Sequence, residues 1–108
     1  MPTQDVFTAI ADPTRRRILD ALALRECTVG ELVDLVGTAQ PNVSKHLKQL
    51  GRADLVRVRV DGPRRHYAVQ PDRLREVDTW LETYRRTWSE RLDSLEQHLD
   101  RMDDKEQP

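Results

Sequence analysis

The hydrophobic period changes twice along this chain, and those changes restrict the fold more than any other feature. Up to Asp54 apolar residues recur at helical spacing, from Leu55 to Val69 they alternate, and from Asp72 to about Asp103 the helical spacing returns. That order excludes an all-β sandwich and an all-α bundle. It fits a mainly α fold with a small β-hairpin, in the sequence α-α-α-α-β-β-α. At 108 residues the chain is expected to form a single domain over 1–103, with 104–108 a disordered tail.

The helical boundaries follow from local chemistry. Gln4 to Ala11 forms a first short helix with Val6, Phe7 and Ile10 on one side. Asp12 is a good N-cap, and Pro13 takes the one helical position where a missing N–H does no harm, so a second helix runs to about Leu24 and buries Ile18, Leu19 and Leu22. Arg15, Arg16 and Arg17 fall in its first turns, where the helix dipole disfavours cations, and either a phosphate or the neighbouring Asp12 and Asp20 can compensate. Thr28-Val-Gly-Glu31 has the form of a capping box, placing Val29, Leu32, Leu35 and Val36 on the buried side of a third helix that Gly37 ends. Two or three residues then separate it from the next helix, which forces a steep crossing of the helix-turn-helix kind.

That next helix, within Thr38 to Leu50, has two unlike faces. Val43, Leu47 and Leu50 recur at i, i+4 and i+7 and require burial, and His46 is expected to pack beneath the helix rather than on its surface. The opposite face carries Pro41, Lys45, Lys48 and Arg52, with Asn42 and Gln49 beside them and Gln40 and Ser44 at the N-terminal flank. Amides and a hydroxyl suit base edges, and cations suit phosphates. A solvated polar face is the alternative. Its N-cap falls on Ala39 or Thr38, and alanine caps poorly.

Charge weighs in favour of nucleic acid. The net charge of -1 divides into -2 over residues 1–37, +5 over 38–67 and -4 over 68–108. A basic middle between acidic ends concentrates a positive field where a duplex docks. The alternating stretch adds to it: Leu55 to Val60 and Arg64 to Val69 flank an Asp61-Gly62-Pro63 turn, with Val56, Val58 and Val60 on one face and Arg57 and Arg59 on the other. Arg64 and Arg65 at the tip can reach a phosphate or a minor groove, the alternative being a solvated tip.

In the last segment Leu74, Val77, Leu81, Tyr84, Trp88, Leu92, Leu95, Leu99 and Met102 step by threes and fours. At 1.5 Å per residue this helix is about 45 Å long, more than a domain of this size can cover. Its apolar stripe calls for a partner helix, the simplest being its own copy.

The order and the motifs resemble the ArsR family of winged helix-turn-helix transcriptional repressors. The likeness rests on Asp12-Pro-Thr-Arg-Arg-Arg-Ile-Leu19, Glu31-Leu32, Gln40-Pro-Asn-Val-Ser-Lys-His-Leu47, Ala53-Asp-Leu-Val56 and Tyr67, and covers about residues 5–103. It implies that Gln40, Pro41, Ser44 and Lys45 enter the major groove, that the wing touches flanking backbone or minor groove, and that the first and last helices form a homodimer. The resulting site is Gln40, Pro41, Asn42, Ser44, Lys45, Lys48, Arg59, Arg64 and Arg65 for double-stranded operator DNA. The self-association face is Val6, Phe7, Ile10, Leu74, Val77, Leu81, Tyr84, Trp88, Leu92, Leu95 and Leu99.

The chain departs from the family's metal sensors. The thiolate positions that follow the Glu-Leu pair read Val33, Asp34 and Leu35; those of the last-helix site read Asp78, Thr79 and Trp80; and His98 is the only histidine on that helix. A branch without a metal site or cofactor is expected, with an effector of unknown chemistry left open. Cys27 is read as inert, because reactivity needs exposure and a lowered pKa. No apolar run reaches membrane-spanning length and no N-terminal stretch resembles a signal peptide, so the cytoplasm is the expected compartment and no membrane partner is expected. Nothing points to an enzyme: there is no Gly-rich phosphate loop and no nucleophile and base at useful spacing. The competing reading is a protein-interaction module that uses the long helix without DNA.

Overall fold

Local capping sets the helices. A computed structural model describes residues 4–106, the last three by backbone alone. It divides into two compact units, one ending at Val77 and the other beginning at Asp78. In the first unit, Asp5 accepts from Thr8 N and opens α1 (Val6–Ile10). Asp12 Oδ1 accepts from Thr14 N at 2.8 Å and Arg15 N at 3.1 Å, opening α2 (Pro13–Leu24) with Pro13 in its first turn. The Thr28–Glu31 capping box is present in both directions at the start of α3 (Val29–Val36). Gly37 closes α3 at φ 77, in the left-handed region that glycine enters without a Cβ penalty. α4 (Gln40–Arg52) follows after three residues.

The end of α4 is a Schellman motif without glycine. Leu55 N–H bonds Leu50 O, Asp54 N–H bonds Gly51 O, and the apolar pair Leu50 and Leu55 that the motif brings together is fully buried. Asp54 holds the left-handed position at φ 57, the single non-glycine residue to do so among those described. β1 (Val56–Asp61) and β2 (Arg64–Val69) then pair antiparallel, from Val56 with Val69 to Asp61 with Arg64. Gly62 at φ 59 and Pro63, whose ring fixes a negative φ, give the connecting turn the sign pattern of type II′. The hairpin is tied down at its base by Gln70 N–H to Leu55 O, and along β2 by reciprocal bonds between Cys27 and Tyr67 at 3.0 and 2.8 Å. Cys27 is thus a single rung on the outer edge of β2.

One core joins these elements: Val6, Ala9, Ile18, Leu19, Leu22, Cys27, Leu32, Val43, Leu47, Leu50, Ala53, Leu55 and Val56. Val6 is therefore committed inward, which corrects its expected place on a self-association face; of the α1 residues expected there, Phe7 and Ile10 are half-buried. Leu74 and Val77 pack against the same core. Along β1 only Val56 is buried, while Val58 and Val60 are exposed.

The last element opens later and ends later than expected. Pro71–Leu74 form a 3-10 turn, and α5 (Arg75–Glu106) continues three residues past Asp103 into the stretch expected to be a disordered tail; Gln107 and Pro108 lie outside the described residues. Taken by itself, the second unit is a helix with a half-exposed apolar stripe of Tyr84, Trp88, Leu92, Leu95, Leu99 and Met102, Leu81 being more covered. Trp80, Tyr84 and Trp88 form a ladder with ring centroids 5.3 and 6.3 Å apart. Arg85 pairs with Asp78 and Glu82 on its flank. No helix among the described residues is long and apolar enough to cross a membrane.

Asp54 is exposed, so substitutions there report on backbone conformation rather than lost packing. Asp54→Gly is expected to unfold at an equal or higher urea concentration, and Asp54→Val to cost about 1–2 kcal/mol, because a β-branched side chain clashes in the left-handed region.

Candidate nucleic-acid interface

Burial fixes which side of α4 is available. Val43, His46, Leu47 and Leu50 are buried, whereas Gln40, Pro41, Ser44, Lys45 and Lys48 are exposed. Ala39 supplies no side-chain cap to α4. Asn42 is half-buried and donates from Nδ2 to Thr38 Oγ1 at 3.0 Å, bracing the turn instead of standing free on the outer face. Gln49 also turns inward, its Oε1 accepting from Arg15.

The hairpin register sorts its side chains. Val56, Val58, Val60, Arg65, Tyr67 and Val69 share one face, and Arg57, Arg59, Asp61, Arg64, His66 and Ala68 the other. Between the hairpin and α4 lies a groove of about 420 Å³ lined by Ser44, Leu47, Lys48, Gly51, Val56, Arg57, Val58, Arg65 and Tyr67. Its lining holds three cations and no carboxylate. Arg64 and Arg65 are exposed beside the hairpin turn.

Arg59 is placed differently from the other expected site cations. Its Nε and Nη2 donate to the two carboxylate oxygens of Glu26 at 3.2 and 3.4 Å, on the hairpin face opposite Val58 and Tyr67. That bond lowers the Glu26 pKa and raises that of Arg59. No sequence signal marks this pair, which spans 33 positions.

Two of the three arginines at the start of α2 turn to groups other than the phosphate or carboxylates considered for them. Arg15 and Arg16 donate to backbone carbonyls at the end of α1: Arg15 to Thr8 O and Ala9 O, Arg16 to Ile10 O and Ala11 O. His46 lies beneath α4 with Nδ1 3.3 Å from Arg15 Nη1 and Nε2 4.0 Å from Asp12 Oδ1. Cys27 is buried, and burial pushes its thiol pKa up, the environment of an unreactive cysteine. Among the described residues, no three His, Cys, Asp or Glu side chains gather as a metal site.

A tri-residue turn between crossing helices, an exposed amide, hydroxyl and lysine face on the second of them, and a basic hairpin beside it define a winged helix-turn-helix DNA-binding module. The family model described as "Bacterial regulatory protein, arsR family" matches residues 12–58, from the cap of α2 into β1. The chain is 32% identical over 77 residues to the transcriptional repressor SdpR of Bacillus subtilis (strain 168), covering 71% of this chain and 86% of that protein. It is 42% identical over 73 residues to the HTH-type transcriptional regulator KmtR of Mycobacterium tuberculosis (strain ATCC 25618 / H37Rv), covering 68% of this chain but only 56% of KmtR. The crystal structure of NolR from Sinorhizobium fredii superposes with a TM-score of 0.61 at 33% identity, covering 72% of this chain and 79% of that one. The chain belongs to the ArsR family of DNA-binding transcriptional regulators, a class of regulators rather than enzymes.

The capping box that starts the helix-turn-helix is also its most perturbed acid. Glu31 accepts from Thr28 N and from Arg25, and those bonds, the backbone one first, bring its pKa from the usual 4.5 down to about 2. A depressed carboxylate stabilises the fold above its unfolded pKa and ceases to do so as pH falls through the folded value. Glu31→Gln keeps the capping geometry and removes the charge. The stability gap between wild type and this variant, measured by urea titration across pH, is expected to be widest above pH 4.5 and to close as pH falls to about 2.

Proposed function

We propose that this chain is a homodimeric repressor that occupies an inverted-repeat operator, with α4 in the major groove and the hairpin against flanking backbone or minor groove. The observation that carries this reading is the exposed face of Gln40, Pro41, Ser44 and Lys45 next to a groove with cations and no carboxylate in its lining. On this reading Gln40 and Ser44 read base edges, while Lys45, Lys48, Arg64 and Arg65 neutralise phosphates and supply salt-dependent affinity. Asn42 contributes through its brace to Thr38. Arg59 is paired with Glu26, which offsets the charge it presents to a phosphate. The relative SdpR is a transcriptional repressor, and blocking a promoter is the simplest consequence of occupying it.

The partner proposed for α5 is a second copy, through Leu81, Tyr84, Trp88, Leu92, Leu95 and Leu99, and Phe7, Ile10, Leu74 and Val77 of the first unit are proposed to take part as well. A stripe this long and half-exposed exceeds the scattered apolar exposure of ordinary monomer surfaces. Two-fold pairing sets two α4 helices toward successive major grooves, roughly 34 Å apart. The site of action proposed is the cytoplasm, where promoters are.

Two measurements test the halves of this reading separately. With an operator fragment selected from random-sequence DNA, Gln40→Ala and Ser44→Ala are each expected to reduce discrimination by about tenfold, whereas Arg64→Ala weakens all sequences alike and lowers the salt slope by about one. The reverse pattern puts the base-reading surface elsewhere. Sedimentation is expected to give twice the chain mass for wild type and the single-chain mass for Trp88→Glu, with operator binding lost in parallel; a wild-type monomer that binds the operator refutes the pairing.

A further inference from the structure

The guanidinium of Arg15, a residue of α2, bonds to both α1 and α4. Its Nε donates to Ala9 O at 2.6 Å and its Nη2 to Thr8 O at 3.1 Å, both carbonyls of the last turn of α1. Its Nη1 faces α4, contacting His46 Nδ1 at 3.3 Å and Gln49 Oε1. Arginine is a donor only, so Nδ1 of His46 is the acceptor in that contact, while Nε2 lies 4.0 Å from Asp12 Oδ1. That same oxygen caps α2 by accepting from Thr14 and Arg15. α1 packs on α2 and α2 on α4, and this one side chain bonds to both α1 and α4.

We infer that Arg15 is the positioning residue of DNA reading: it locks the rotation of α4 to α1 and α2, and operator discrimination depends on it although it touches no nucleic acid. His46 and Gln49 are one turn apart on α4, so two anchors hold the helix against rolling about its axis. A roll of about 20° moves a side-chain tip at a radius of about 5–6 Å by roughly 2 Å, enough to break a hydrogen bond to a base edge. Only a planar fork with donors on both edges spans the carbonyls of one helix and the side chains of another; a lysine ammonium is a point. Where α1 belongs to the self-association face, which rests on the dimer reading above, this link also makes sequence reading responsive to how two copies dock.

Arg15→Lys and Gln49→Ala in the full chain test the inference, using the selected operator fragment and a mixed-sequence fragment of equal length over a salt series. Arg15→Lys is expected to weaken operator binding about tenfold, the scale of one misread base pair, and to change mixed-sequence binding by less than about twofold. Salt slope and solution mass stay at their wild-type values. Gln49→Ala removes one of the two anchors on the α4 side while leaving the His46 contact and the α1 carbonyls in place; its loss is smaller but of the same sign, and the double variant loses no more than Arg15→Lys alone. Equal loss on both DNAs with a salt slope lower by about one makes Arg15 a phosphate contact and overturns the inference. Wild-type discrimination in either variant, or additive losses, overturns it as well. Should Arg15→Lys not fold, Gln49→Ala decides alone. A single-chain mass for wild type removes the dimer reading, and the role of Arg15 is then decided by these discrimination ratios.

Discussion

Everything on the outside of α4 is placed by what its inside must bury. Val43 and Leu50 are fully buried and Leu47 nearly so, and they meet Leu32 of α3 and Ile18 of α2 in a single core. Removing each such side chain from water contributes about 1.5–3 kcal/mol, more than any one hydrogen bond the outer face offers. The helix cannot roll to hide Lys45 without exposing this seam. Gln40, Pro41 and Ser44 are thereby free to be chosen for recognition, since exposed positions away from caps and turns influence stability little. Arg15, from beneath, refines a rotation that the apolar seam has already set coarsely.

Electrostatics shows the same division between structure and recognition. The chain is nearly neutral, yet its cations are unequally committed. Arg25 pairs with Glu31, Arg59 with Glu26, Arg73 with Glu76 and Arg85 with Asp78 and Glu82, while Arg15 and Arg16 serve carbonyls. Lys45, Lys48, Arg64 and Arg65, on α4 or at the wing tip, enter no ion pair among the described residues, nor do Arg52 and Arg57 near them or Arg17, Arg75, Arg86, Arg91 and Arg101 elsewhere. Net charge alone would have argued against a nucleic-acid partner. The field that a duplex meets is that of the uncommitted charges.

What the sequence revealed was mostly what its local physics decides. The boundaries of α2 and α3 stand where Asp12-Pro13, Thr28-x-x-Glu31 and Gly37 put them, because a cap is settled within four residues. The inward face of α4, His46 included, followed from periodicity. Contacts made at a distance left no such mark. The Cys27–Tyr67 rung, the Glu26–Arg59 pair and the fork of Arg15 each depend on how elements pack. The glycine that would have announced the end of α4 is displaced: Gly51 lies inside the helix, and Asp54 takes the left-handed position. The start of the last helix is ambiguous for a related reason, since Pro71 and Asp72 signal a helix start equally well whether the first turn is α or 3-10.

The long helix carries information in the spacing of its stripe as well as in its composition. From Leu74 to Met102 the apolar residues average 3.5 per step, the period that makes paired helices coil to the left. Between Tyr84 and Leu95, however, three steps cover eleven residues, about 3.67 per turn, which cancels that tendency locally. Trp88 sits in this stretch, next to Tyr84 in the aromatic ladder. On the proposed self-pairing, two copies of α5 run nearly straight past each other where the bulkiest side chain must be accommodated. The angle between two such rods is then set by how Trp88 packs.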